Sequence, residues 1–164
     1  MILKREIEID PEDTYETLHD KMAPVGAEAL IEALNLIENG KVKAEKQDDS
    51  LSCYASMITK EMGIIDWSKS SKEIKNKIRG FNPVPAAYTK YGDDVLKIFK
   101  ADIVEGYENG ENGEILAVDK KRGFIVKTGN GAVMITEIQA KGGKRMNCAD
   151  YMRGHEIKVG KILI

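Results

Sequence analysis

The chain has 164 residues, of which 42% are apolar and 32% charged, and this balance excludes a disordered or fibrous protein. Its 25 Lys and Arg against 27 Asp and Glu give a net charge of −2, so nucleic-acid binding does not follow from net charge. No run approaches the roughly 18 apolar residues of a membrane span, and two cysteines outside CxxC pairs with two histidines weigh against a disulfide scaffold, a metal site and a self-contained Ser-His enzyme.

The first 65 residues predict a strand, a long helix and an extended segment. Leu3–Ile9 alternates apolar and charged residues, which is typical of a strand with one buried face. Apolar residues at spacings of three and four then predict an amphipathic helix that begins in a capping box at Asp13-Thr14 and ends at Asn39-Gly40. Pro24 lies inside this pattern and is expected to kink or split the helix. The segment 41–65 has no clear period and is interpreted as extended.

A short helix is predicted next, from Ser68 or Ser70 to about Arg79. The two prolines of 82–85 end it, because proline cannot donate a hydrogen bond to a continuing helix. Trp67, just before this helix, could stack on a nucleotide base. The burial habits of tryptophan favour a buried anchor for the helix instead.

From residue 86 onward the chain changes to short β runs separated by Gly, Asn and Asp. Such closely spaced strands with turn residues between them predict a small antiparallel barrel or sandwich, interrupted by one short helix near Cys148–Arg153. The predicted strands are Ala86–Tyr91, Val95–Glu105, Gly113–Val118, Gly123–Lys127, Ala132–Gln139 and Ile157–Ile162.

Basic residues concentrate in two stretches, one on the short helix and one near the C-terminus. If the β region packs against that helix, the two stretches could line one channel that contacts phosphates. Solubilising lysines on a mixed surface are the alternative reading. The candidate residues are Lys72, Lys75 and Arg79 on the helix, and Lys141, Lys144, Arg145, Arg153 and Lys158 in the later part.

Two segments carry a resemblance to a known family. GIIDWSKSSKEIKNKIRGFNPVPAAY (Gly63–Tyr88), with ITKE just before it, resembles the linker of methionyl-tRNA formyltransferases. GKRMNCADYMRG (Gly143–Gly154) resembles the same family's segment near the C-terminus. The similarity covers essentially the whole chain in order. Sugar N-formyltransferases share parts of it, but the second segment fits the tRNA enzymes better.

The resemblance implies a fold and a domain order. We expect an α+β chain in which residues 1–65 are the remnant strand and helices of an α/β formyltransferase domain. Residues 66–81 are then a linker helix, and residues 82–164 an OB-like antiparallel β-barrel that binds tRNA. Gly80, Val84 and Ala86 depart from the usual Ala, Trp and Gly of the family's linker, while the prolines are kept.

The resemblance also implies a function for the chain as a part. The family transfers a formyl group from 10-formyltetrahydrofolate to initiator Met-tRNA with an Asn, a His and an Asp that precede the region matched here. His19 and His155 match none of these motifs, so the chain alone is expected to be inactive, with no bound cofactor or metal. The eight cations named above are then expected to contact tRNA.

Other readings remain open at the level of sequence. The chain could be a noncatalytic module that pairs with a separate N-terminal half or with itself, because its first strand lacks sheet neighbours. It could also be the remnant of a truncated sugar N-formyltransferase. Its opening residues are charged where a signal peptide needs an apolar run, which predicts a cytoplasmic location without membrane contact.

Overall fold

The computed structural model describes all residues, Met1–Ile164. The chain divides into two compact units, Met1–Ile58 and Thr59–Ile164. None of the helices combines the length and the apolar character that crossing a bilayer requires.

The first unit contains one long helix, α1 (Tyr15–Glu38), and a short 3₁₀ helix at Asp49–Leu51. Thr14 caps α1 in the predicted box: its hydroxyl accepts from the Thr17 amide, and its own amide donates to the Thr17 hydroxyl. At the other end Gly40 takes φ +62° and donates to Ile37, a left-handed C-terminal cap. Pro24 lies inside a helix that remains one element and is not split.

Apolar side chains of α1 remain in contact with solvent. No residue of the helix is buried within this chain. Four of them occupy one side of the helix in its second half and are called the apolar stripe of α1. These are Leu30, Ile31, Leu34 and Ile37, whose exposed fractions are 61%, 62%, 51% and 50%.

The strand prediction for Leu3–Ile9 is wrong, because the structure has no strand there. Strand pairing needs a neighbouring ladder, and the first unit contains no strand that could supply one. The backbone contact at this end is local to the unit, where the Glu45 amide donates to the Met1 carbonyl at 2.8 Å.

The second unit is an antiparallel sheet with two helices. Its strands hydrogen-bond in the order β1-β2-β5-β4-β3, and β6 pairs with β5, so the first five predicted strands are confirmed. A 3₁₀ helix at Glu61–Gly63 precedes the sheet. The remaining elements are α2 (Ser71–Gly80), β1 (Ala87–Tyr91), β2 (Asp94–Val104), β3 (Ile115–Asp119), β4 (Gly123–Thr128), β5 (Gly131–Ala140), β6 (Met146–Asn147) and α3 (Cys148–Tyr151).

The sheet is open, so the expected OB-like barrel is not confirmed. Its edge strands β1 and β3 share no ladder. The predicted strand Ile157–Ile162 is instead an irregular segment with a single bridge to Glu114, because Gly160 at φ +81° interrupts the extended backbone. This segment still reaches both edges: Lys161 accepts from Ile115 of β3, and Ile164 exchanges hydrogen bonds with Lys90 of β1.

The core of the second unit lies between α2 and the sheet. Ile74 and Ile78, one turn apart on α2, are each 1% exposed and pack in one cluster with Phe124, Ile135 and other strand residues. This spacing places both isoleucines on the same helical face. Burial of that face fixes which side of α2 points outward.

Trp67 is a buried anchor, as its sequence context favoured. It is 5% exposed, and its indole Nε1 donates to the Thr89 hydroxyl of β1 at 3.1 Å. That hydroxyl in turn donates to the carbonyl of Ile164 at 3.0 Å. One hydrogen-bonded chain therefore joins the segment before α2, the edge strand and the end of the polypeptide.

Replacing a buried isoleucine of α2 should destabilise the second unit. We expect Ile78→Ala to lower the free energy of unfolding by about 2–5 kcal/mol, because it removes apolar contacts and leaves a cavity. Leu34→Ala in the exposed stripe of α1 is the matched control, with an expected change within about 0.5 kcal/mol. Urea denaturation of the whole chain measures both, and equal effects would contradict the packing of α2.

Candidate nucleic-acid interface

The N-terminus of α2 is pinned to the turn between β4 and β5. Ser71 is buried at 5% exposure, its hydroxyl lies 2.7 Å from the Thr128 hydroxyl, and its amide donates to Asn130 Oδ1 at 2.9 Å. Ser70 caps the helix together with Glu73, and the hydrogen bonds from Ser70 lower the pKa of that carboxyl. The caps hold the start of α2, and hence the cations that follow, in a fixed orientation.

The three predicted cations of α2 have different surroundings. Lys72 is exposed, beside the turn that holds the helix. Lys75 Nζ lies 3.9 Å from Asp102 Oδ1 of β2, and only 18% of its side chain is exposed. Arg79 donates to Asn76 Oδ1 within the helix at 2.8 Å. Lys72 therefore has the greatest freedom to meet a ligand.

Lys77 lies on the same helix, but its ammonium group contacts other residues of the protein. It donates to the carbonyl of Ile64 and lies 5.9 Å from the centre of the Phe81 ring. Burial lowers the pKa of this lysine, because a charged ammonium loses hydration there. Its contacts connect α2 to the segment before it.

Arg145 forms the most elaborate polar cluster of the second unit. Its guanidinium binds both carboxylate oxygens of Glu137 at 2.8 Å, donates to Asn82 Oδ1 at 3.1 Å and lies 4.4 Å from the centre of the Phe99 ring. Such a bidentate ion pair fixes the planar guanidinium group in one orientation. The charge of Arg145 is thus compensated by the carboxylate of Glu137, although the arginine side chain is 38% exposed.

Asn82 brings the two basic stretches together. Besides accepting from Arg145, it donates to Phe99 through its side chain at 3.0 Å and to Arg79 through its backbone at 3.2 Å. It is 6% exposed. The end of α2 and the segment before β6 therefore meet at one buried amide.

The remaining predicted cations differ in their pairing. Lys141 lies 3.0 Å from Asp94, Arg153 lies 3.3 Å from Asp150, and Lys158 lies 3.9 Å from Glu156; in each pair both side chains are at least half exposed. Exposed pairs of this kind contribute little and exchange readily with other ions. Lys144 is exposed on the Gly142-Gly143 turn without a carboxylate partner.

One cationic segment was not predicted from the sequence. Lys120, Lys121 and Arg122 form the turn between β3 and β4, and all three are exposed. None has a carboxylate within 4.0 Å, unlike most of the predicted set. The signal was present in the sequence as three consecutive cations between two predicted strands.

Comparisons with known proteins match most of the second unit to a family and nearly the whole chain to individual relatives. The family described as formyl transferase, C-terminal domain, matches residues 57–156. Methionyl-tRNA formyltransferases are similar over nearly the whole chain. Those of Caldanaerobacter subterraneus subsp. tengcongensis, Ruminiclostridium cellulolyticum and Geobacter sulfurreducens are 46%, 44% and 41% identical over 99%, 99% and 98% of this chain, and over 52%, 53% and 50% of their own lengths. The chain therefore spans about half the length of these relatives.

A solved structure shows a related fold. HypX from Aquifex aeolicus, crystallised in complex with tetrahydrofolic acid, matches with a TM-score of 0.56. The match covers 82% of this chain and 26% of that chain at 22% identity. At this identity the likeness concerns the fold alone.

Loss of the bidentate ion pair between Arg145 and Glu137 should destabilise the second unit. We expect Arg145→Lys to lower the free energy of unfolding by about 1 kcal/mol, because lysine cannot bind both oxygens of Glu137 at once. Lys144→Ala, one residue earlier and exposed, is the control and should change it by less than about 0.5 kcal/mol. Urea midpoints report both; a neutral Arg145→Lys would argue against a structural role for the cluster.

Proposed function

Because this chain belongs to the formyl transferase C-terminal domain family, we propose that it is the tRNA-binding, C-terminal part of a methionyl-tRNA formyltransferase. The complete enzyme would transfer a formyl group from 10-formyltetrahydrofolate to the amino group of initiator Met-tRNA, in the cytoplasm, at the start of protein synthesis. The observation that carries the proposal is 40–46% identity to such enzymes over nearly the whole chain.

The distribution of cations supports a role in holding RNA. Lys72 and Lys144 present uncompensated ammonium groups, and phosphates are contacted chiefly by such side chains. Lys141, Arg153 and Lys158 can exchange their exposed carboxylates for phosphates. Lys75, Arg79 and Arg145 lie in internal contacts and contribute mainly by shaping the surface.

The C-terminal segment supports an OB-like arrangement of the second unit. Its hydrogen bonds to β3 at Ile115 and to β1 at Lys90 link the two edges of the open sheet. Barrels of this class are partly open and bind nucleic acids on their surface. In this proposal the chain holds no folate and no metal, and formyl transfer uses residues of the other half of the enzyme.

A second candidate role, pairing with another polypeptide, is favoured by one observation. The apolar stripe of α1 is exposed although the rest of that helix is capped and regular. Exposed apolar areas of this kind mark interaction surfaces. We propose that the N-terminal formyltransferase half covers this stripe; self-association would cover it in the alternative.

Charge reversal of the free cations should weaken tRNA binding. We expect the double variant Lys72→Glu, Lys144→Glu to bind Met-tRNA at least about tenfold more weakly, with a shallower dependence on salt, because fewer counterions are displaced. Fluorescence anisotropy with labelled initiator Met-tRNA measures this. Lys43→Glu, Lys46→Glu is the control, with the same charge change on exposed residues of the first unit. The absence of salt-dependent binding by the unaltered chain would refute the proposed role.

Covering of the α1 stripe can be tested by reconstitution. We expect this chain to co-purify with the N-terminal half of the similar Caldanaerobacter enzyme, and Leu34→Glu to abolish that association because a buried charge is costly. Asn35→Glu adds the same charge one residue away and should retain it. Dimers of the chain alone, seen by light scattering and lost only in Leu34→Glu, would support self-association instead.

A further inference from the structure

The turn between β3 and β4 has a conformation that the surrounding backbone dictates. The side chain of Asp119 accepts from the Lys121 amide at 2.8 Å, and its carbonyl accepts from the Arg122 amide at 3.1 Å. Gly123 closes the turn at φ +156°, where a Cβ would lie 1.9 Å from the carbonyl oxygen of Ile135. The backbone that carries the three cations of this turn is therefore held in one conformation.

These cations carry their charge without compensation. Lys120, Lys121 and Arg122 are exposed and none lies within 4.0 Å of a carboxylate. Like charges held this close repel one another. An anion that binds there would relieve this repulsion and would displace no existing ion pair.

A groove beside the turn adds further groups. It is a cavity of about 440 Å³ whose lining includes Lys120, Arg153 and His155, the apolar Val118 and Ile157, and one carboxylate, Glu156. Glu156 lies 3.9 Å from Lys158. Arg153 has only an exposed partner, Asp150. One cation of the β3–β4 turn, Lys120, and one from the segment after α3, Arg153, thus border one concave surface.

His155 offers a flat face at this groove. Its ring stacks on the Tyr151 ring, with centroids 4.3 Å apart and planes inclined by 5°. The imidazole also lies 3.2 Å from the Tyr151 carbonyl through Nδ1. Tyr151 is half-buried and His155 exposed, so the outer face of the pair is held in place and open.

We propose that this surface is a second RNA contact, in which the β3–β4 turn binds consecutive phosphates and His155 stacks on an unpaired base. Cations beside an aromatic platform are what single-stranded nucleic acids require. An acidic peptide would use the cations but has no need of the stacked rings. The inference deepens the proposed function, on which it rests for the identity of the RNA as initiator tRNA.

The experiment measures binding of two probes to the whole chain by fluorescence anisotropy. One probe is labelled initiator Met-tRNA and the other a short single-stranded oligoribonucleotide of mixed sequence. The variant replaces Lys120, Lys121 and Arg122 by alanine, and the matched control replaces Lys41, Lys43 and Lys46, which are also exposed and free of carboxylate partners. Thermal unfolding verifies that each variant is folded.

We expect the turn variant to bind both probes about tenfold more weakly or worse, and the control to bind like the unaltered chain. The slope of log K against log salt for the oligoribonucleotide should fall by about 2, since three single-strand phosphate contacts are lost. Turn and control variants of equal affinity would overturn the inference.

Variants of His155 separate the contribution of base stacking to RNA binding from the contribution of charge. We expect His155→Ala to weaken oligoribonucleotide binding about fivefold or more and His155→Tyr to retain it, because the flat face is kept. If both bind like the unaltered chain, the base-stacking part is wrong. If polyglutamate competes as well as RNA at equal charge, the surface is one for acidic peptides and the RNA assignment falls.

The two probes also separate this inference from the proposed function. Turn-dependent binding of the oligoribonucleotide without binding of Met-tRNA would support an RNA surface and refute the tRNA role. Binding of Met-tRNA that is lost in the Lys72, Lys144 variant but unchanged in the turn variant would support the tRNA role and refute the second contact.

Discussion

The packing of α2 onto the sheet is the constraint from which the surface chemistry of the second unit follows. Ile74 and Ile78 bury one face of the helix, and Ser71 ties its start to the β4–β5 turn. Once this face is fixed, the helical period decides which side chains point outward. Lys72 reaches solvent, whereas Lys77 is turned toward the carbonyl of Ile64. A rotation of α2 by one residue would change which of its lysines reach solvent.

Much of the architecture could be predicted, because local chemistry and tertiary structure agree there. The capped ends of α1 and α2 and the first five strands follow from capping residues, periodicity and turn residues. The strand at Leu3–Ile9 could not be settled by its alternation, because pairing depends on a neighbour that the pattern does not specify. The strand predicted at Ile157–Ile162 is absent for a local reason, because Gly160 adopts a left-handed conformation that interrupts the extended backbone.

The candidate site was less predictable than the fold. The sequence identified basic residues but not which carboxylates they meet, and long-range pairs decide that. Glu137 lies on β5 and Arg145, eight residues later, just before β6; Asn82, which contacts Arg145, comes much earlier in the chain. Conversely, the three cations of the β3–β4 turn are not among the residues predicted to bind. How strongly a lysine or arginine can bind an anionic ligand depends on whether the folded protein already pairs it with a carboxylate.

Changes at the C-terminus affect the interior of the second unit, because a chain of hydrogen bonds runs from Ile164 through Thr89 to Trp67. The final carbonyl serves the Thr89 hydroxyl and the Lys90 amide together. Deleting the terminal isoleucine would remove the acceptor of a hydroxyl that is 1% exposed and that also holds the indole of Trp67 ahead of α2. The last residues hold both sheet edges through backbone hydrogen bonds, so an affinity tag is better placed at the opposite end.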